Sequence, residues 1–159
     1  MTLYFMRHAE AEETAPGQSD AERKLTEKGI RRSREAAVAL RALGVELDLI
    51  LTSPLRRAQQ TAELVAQALG APVEQAPALG GRLTLGRLRD LLEEHDMPGQ
   101  VMLVGHEPDF SAIVGEMIGG ADVEMKKGAV ACLDCRAVVR GGAMLLWLVV
   151  GRQLSLMAK

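Results

Sequence analysis

The sequence of 159 residues predicts an α/β fold, a three-layer α/β/α sandwich around a mostly parallel sheet. Two observations carry that expectation. Short apolar runs alternate with helix-period segments through the first three-quarters of the chain, the pattern of a parallel sheet covered by helices on both faces. Hydrophobic residues make up 48% of the chain, enough for a full core, while only 3% are aromatic, so Leu, Val, Ala and Met must fill it. The length fits one domain, residues 1–159.

In chain order, residues 2–6 read as a short buried strand. Residues 10–25 are polar, contain Pro16, Gly17, Ser19 and Asp20, and read as a loop. Thr26 is placed to cap a helix over Glu27–Leu43, whose Ile30, Ala36, Ala37, Leu40 and Leu43 fall near helical spacing and which Gly44 stops. "LDLILTS" (47–53) is a second buried strand. Ser53 suits an N-cap and Pro54 a first helical position, so a helix is expected over Pro54–Leu69, closed by Gly70. Val73 starts a short extended piece, and residues 83–95 read as a helix despite Gly86. "QVMLVGH" (100–106) is a third strong strand, followed by a helix from Pro108 that ends at Gly119-Gly120. Residues 129–139 and 143–150 read as two further strands joined around Arg140-Gly141-Gly142.

Composition narrows the function. A formal net charge of −2 gives no global basic field for nucleic acid or acidic membranes. Cys132 and Cys135 sit in a strand-like run that points their side chains to opposite faces, which favours structural cysteines over a redox or zinc pair. The first apolar run is too short for a secretory signal and meets charge at once, and "AMLLWLVV" is far too short to span a bilayer. A soluble, cytoplasmic protein is expected.

Ligands of open α/β sheets bind beyond the carboxyl ends of the strands. The first strand ends at Arg7-His8, the second runs into Ser53 and Arg56-Arg57, and the third ends at His106. If these strands are parallel, two histidines and two or three arginines converge. Arginines in the first turn of a helix face the positive end of its dipole, an unfavourable placement unless an anion sits there. Pairing of Arg57 with the acids at 10–13 is the structural alternative. His95, after Glu93-Glu94, reads as an ordinary solvent-facing histidine.

Phosphoryl transfer suits this set. A neutral imidazole is a competent nucleophile towards phosphorus, and arginine forks match phosphate oxygens. His8 would attack, Arg7 and Arg57 would hold the phosphoryl group, and His106 would add a fourth contact. Arginines supply the positive charge, so no metal or other cofactor is required. A metal site built from His8, His106, Glu10 and Glu107 is disfavoured because the neighbouring arginines would repel the cation. No Gly-x4-Gly-Lys-Ser/Thr motif is present, which excludes a P-loop site.

These residues resemble the histidine phosphatase superfamily, with its phosphoglycerate-mutase-like fold. Arg7-His8-Ala9 matches the family's Arg-His-Gly/Ala signature. Ser53 through Arg57-Ala58 to Thr61 matches Ser-x-x-x-Arg-Ala-x-x-Thr, and His106 in "LVGHEP" matches its second histidine. The resemblance implies His8 as the phosphorylated nucleophile and Arg7, Arg57 and His106 as the phosphate pocket, with Arg56 a bystander. Length and "RKLTEKG" (23–29) are similar to the short SixA-type phosphohistidine phosphatases, with Lys24 where they carry proline. Arg23 is then a further substrate contact. Larger relatives place a carboxylate after the second helix as general acid, whereas no acid occurs here between Glu74 and Asp90. Imidazole is a much weaker base than an alkoxide, with a reference pKa of about 6.5, and leaves with less help. The expected substrate is therefore a phosphohistidine-bearing protein. The alternatives are a general small phosphomonoesterase on small phosphorylated substrates, with Glu10, Glu12 or Glu13 as proton donor, and a catalytically silent phosphate- or phosphoprotein-binding module.

Overall fold

The computed structural model describes residues 1–159. Its strands β1 (Thr2–Arg7), β2 (Leu49–Thr52), β3 (Val73–Gln75), β4 (Gln100–Gly105), β5 (Val130–Cys135) and β6 (Ala143–Val149) form one sheet in the order β3-β2-β4-β1-β5-β6. The first four run parallel to their neighbours; β5 pairs antiparallel with β1, and β6 antiparallel with β5. The helices are α1 (Glu27–Ala42), α2 (Arg56–Leu69), α3 (Leu85–Glu94), α4 (Asp109–Met117) and α5 (Gly151–Met157). No helix is long and apolar enough to cross a membrane.

Strand alternation splits the core in two. Leu3, Phe5, Leu51 and Leu103 pack with Leu88, Leu92, Ile113 and Val114 of α3 and α4. On the other face Tyr4, Met6, Ile50 and Met102 pack with Ala36, Leu40, Ala58, Ala62 and Leu154 of α1, α2 and α5. This is the expected α/β/α sandwich. Cys132 belongs to one layer and Cys135 to the other, both unpaired, as strand alternation requires.

Several boundaries differ from the sequence reading. Helix α2 starts at Arg56 rather than Pro54, because the Pro54 carbonyl accepts from Gln59 Nε2 (2.7 Å) and the first helical acceptor is Leu55. Ser53 is not the cap; its Oγ accepts from the Leu55 N–H at 3.3 Å in the preceding turn. Helix α3 is shorter than 83–95, since Thr84 caps it by accepting from the Arg87 N–H. Strand β5 stops at Cys135 instead of 139: the N–H groups of Arg136 and Ala137 both donate to the Gly142 carbonyl, which closes a tight turn. Helix α5 and the 3-10 turns at Asp20–Glu22 and Pro77–Gly80 were not expected. Each is too short to display a period.

Two glycines allow close approaches beside the parallel strand ends, one to a backbone and one to an aromatic ring. A Cβ at Gly29 in α1 would lie 2.1 Å from the Glu10 carbonyl oxygen, so only glycine allows the segment after His8 to rest on this helix. A Cβ at Gly105 would meet the Phe110 ring at 2.6 Å, and that ring stacks edge-on against Phe5. Gly105→Ala is therefore expected to cost about 1–3 kcal/mol in urea unfolding, the usual range for overpacking. Gly86→Ala meets nothing nearer than 3.9 Å in α3. It should be neutral or stabilise by about 0.4–1 kcal/mol; equal losses in both variants would contradict the packing described.

Candidate active site

Strand register sets the first layer of the site. Arg7 pairs with Gly105 across β1–β4, and Thr52 with Val104 across β2–β4. His8, Ser53 and His106 therefore each occupy the first position beyond a parallel strand, at one edge of the sheet.

His8 is buried, with 6% of its surface exposed. Its Nδ1 lies 2.7 Å from the Ala9 carbonyl oxygen, an acceptor only, so Nδ1 carries the proton. Nε2 is then unprotonated and accepts from Arg57 Nε at 3.2 Å. These contacts hold the ring as one neutral tautomer with its lone pair at Nε2. Burial pulls its pKa down; the Ala9 carbonyl opposes this, and the charges of Arg57 and Arg7 add to the lowering, to about 4. The Ala9 N–H donates to Thr61 Oγ1, which donates to the Arg57 carbonyl at 2.8 Å. Thr61, eight residues into the segment that begins at Ser53, thus ties β1's end to α2.

Arg57 is as buried as His8. Besides Nε, its two terminal nitrogens donate to the Asp20 carbonyl oxygen (2.8 Å) and to Asp20 Oδ2 (3.0 Å). The anion at the start of α2 is therefore Asp20, not an acid at 10–13. Asp20 also accepts from Arg23 at 2.8 Å, and Arg23 donates to the Glu12 carbonyl. Burial raises the Asp20 pKa, but hydrogen bonds from the two arginines outweigh it and leave the carboxyl below its ordinary range. Arg56 turns away towards Gln59 and Glu63.

His106 is half-buried and its Nε2 donates to the Leu79 carbonyl at 2.8 Å. Its ring stands edge-on to His8 with centroids 6.3 Å apart. Burial lowers its pKa, the Leu79 carbonyl partly restores it, and Arg57 lowers it again. Arg7 donates to the Met125 carbonyl at 2.9 Å, while its Nε is buried without any acceptor. An unmet buried donor on a cation is costly, and a phosphate oxygen would satisfy it.

All five residues expected at the site, Arg7, His8, Arg23, Arg57 and His106, line one cavity of about 280 Å³. Ala11, Glu107 and Lys127 complete it. Four cations and one carboxylate thus surround a neutral imidazole. Glu10 is instead bound to Lys28 at 3.0 Å, and Glu12 and Glu13 are exposed away from the cavity, so none of the three first-loop acids is in place to give a proton. Glu107, whose carboxylate holds the Ser111 hydroxyl and N–H, is the acid that lines it. His95 is mostly buried rather than solvent-facing, held between the Leu91 carbonyl and Glu74, and does not line this cavity.

Asp20 and Lys127 are site residues the sequence does not single out, and Glu107 enters there only as a ligand of the disfavoured metal site. Asp20 lies in an aperiodic loop, 37 positions from Arg57. The signal for Glu107 was adjacency to His106; for Lys127 there was none beyond its charge.

A sequence profile of the histidine phosphatase superfamily (branch 1) matches residues 3–83. Phosphohistidine phosphatase SixA of Escherichia coli is 33% identical over 124 residues, 76% of each chain. A probable phosphoglycerate mutase GpmB of Cronobacter sakazakii is 37% identical over 142 residues, 84% of this chain but 64% of that relative's length. Among solved structures, the protein histidine phosphatase SixA complexed with tungstate superposes with a TM-score of 0.86 at 28% identity, covering 97% of this chain and 99% of that one.

In histidine NMR titrations of the resting protein, His8 should titrate near pH 4 as the Nδ1-protonated tautomer. Because that value lies below the unfolded one of about 6.5, native stability should decline as pH falls from about 6.5 towards 4. The His8→Ala protein should lack that part of the decline. Titration of His8 near the unperturbed value would contradict the burial and the hydrogen bonds assigned to it.

Proposed function

The chain belongs to the histidine phosphatase superfamily, and we propose that within it the protein is a metal-independent, cytoplasmic phosphatase of phosphohistidine on proteins. The observation that carries this reading is the neutral His8, its lone pair at Nε2, set in a cavity ringed by Arg7, Arg23, Arg57 and Lys127. Similarity to SixA over three-quarters of both chains supports it. Family membership makes the protein an enzyme of phosphatase or mutase type.

In the proposed reaction His8 Nε2 attacks phosphorus as the bond to the leaving group breaks. Arg57 gives up its hydrogen bond to that lone pair and turns to the phosphoryl oxygens, joined by Arg7 through its unmet Nε. His106, its Nε2 held on Leu79, takes up a proton from solvent at Nδ1 when the phosphoryl charge enters the cavity, and donates from there to the same oxygens. Water then attacks the phosphorylated His8, phosphate departs, and the neutral imidazole is restored. Positioned charge of this kind supplies most of the catalysis in phosphoryl transfer, and guanidinium groups do here what a metal does elsewhere.

Leaving-group chemistry supports this choice of substrate. The segment from Ala76 to Arg89 carries no acid, and Asp20, held ionised by two arginines, is a poor proton donor. A protonated phosphohistidine expels neutral imidazole, whereas an alkyl ester must expel an alkoxide or be protonated as it leaves. One observation favours a second reading. Glu107 lines the cavity and, as proton donor, would make the protein a small phosphomonoesterase.

A phosphohistidine protein and a simple alkyl phosphate, assayed side by side with and without EDTA, separate these readings. The phosphohistidine should be turned over faster by about 10²–10⁴, the usual worth of a positioned general acid, with no effect of chelator. Comparable turnover of the alkyl ester, abolished by Glu107→Gln, would install the second reading. Turnover of neither would leave the silent binding module.

A further inference from the structure

A second cavity, of about 370 Å³, adjoins the catalytic one and shares Arg7 and Lys127 with it. Its other charged walls are Arg32 from α1, Lys126 from the segment before β5, Arg152 from α5, and Glu10. Arg32, Lys127 and Arg152 make no salt bridge and no side-chain hydrogen bond, and Lys126 has only a 3.7 Å pairing with exposed Glu124. Glu10, the one acid in the groove, is already engaged by Lys28. A chain whose net charge is −2 therefore gathers five cations from four parts of its sequence along one groove, three of them without any salt-bridge partner and only Lys127 of those three near a carboxylate, that of Glu10. Their mutual repulsion is a standing cost that an anionic ligand would relieve.

We propose that this groove docks an acidic segment of the phosphoprotein substrate, beside the phosphohistidine that enters the catalytic cavity. The inference rests on the phosphohistidine reading above. Charge complementarity and shape select a protein segment over a small anion. One additional phosphate or carboxylate would be matched by one or two donors, whereas these cations are spread over separate elements. Lys126, Lys127 and Arg152 are exposed on flexible stems, suited to a row of carboxylates. Arg7 and Lys127 belong to both cavities, so a segment lying in the groove has its neighbouring residue at His8.

The test uses the full chain with Arg32→Glu, Lys126→Glu and Arg152→Glu combined, and a Gln series at the same positions. Arg7 and Lys127 stay intact because they line the catalytic cavity. The probes are two synthetic phosphohistidine peptides, one flanked by Glu and Asp and one by Lys, with p-nitrophenyl phosphate as control. Wild type should favour the acidic peptide by about tenfold or more in kcat/KM, mainly through KM, at about 0.05 M salt and lose that preference at about 0.5 M. The Glu variant should lose or invert the preference and the Gln variant should weaken it. Both should keep p-nitrophenyl phosphate turnover within about twofold, as expected for charges outside the reacting cavity. Absence of preference in wild type, or equal losses on all three substrates, would overturn the proposal. If wild type dephosphorylates neither peptide, the functional reading fails, and fluorescence anisotropy with the unphosphorylated acidic peptide decides the groove alone. Binding by wild type and not by the Glu variant supports docking; no binding refutes it. Binding of inositol polyphosphate, anionic vesicles or DNA through the same three residues, without the acidic peptide, would refute it in favour of that ligand.

Discussion

The site is organised around an imidazole held between a backbone carbonyl and a guanidinium. His8 donates from Nδ1 to its neighbour's carbonyl oxygen and accepts at Nε2 from Arg57. The first bond decides where the proton is; the second keeps the lone pair directed at a cation. Burial and surrounding positive charge then prevent protonation in the neutral range. Everything else in the fold serves this placement. The parallel register brings β1 and β4 to a common end, Thr61 links β1 to α2, and Gly29 lets the following segment lie against α1.

Asp20 gives the resting site a second character. Its carboxylate and carbonyl occupy Arg57, and the same carboxylate holds Arg23. Buried cations without partners are expensive, so a stand-in anion stabilises the cavity between substrates. Asp20 is itself largely exposed, with a side chain 60% accessible, so the contact is open to water and replaceable. A phosphoryl group brings more negative charge and more acceptor oxygens than a carboxylate, and Arg57 retains donors for it: three of its five N–H groups are used in the resting state.

Much of this was legible in the sequence, for identifiable reasons. The strands announce themselves as apolar runs, and their carboxyl ends carry Arg7-His8, Ser53 and His106 in order. One topological rule, that parallel strands share a ligand edge, was then enough to assemble the site. What stayed hidden depends on contacts between segments without periodicity. Asp20 reaches Arg57 from a loop whose path is fixed only by tertiary bonds, such as that from Glu12 N–H to the Lys24 carbonyl. The start of α2 moved by two residues because a side chain, Gln59, competed for a carbonyl. Helix α5 offers a single fully buried leucine, Leu154, too little to form a pattern.

Rapid-quench labelling of the protein during turnover is the most direct measurement of the central claim. A phosphohistidine substrate carrying labelled phosphorus is mixed with enzyme, stopped in alkali within milliseconds, and mapped by mass spectrometry and phosphorus NMR. The account requires an acid-labile, alkali-stable phosphoryl group on His8 at Nε2, formed and consumed at rates compatible with turnover. A label on another residue, or full turnover with no phosphoenzyme formed, would contradict it.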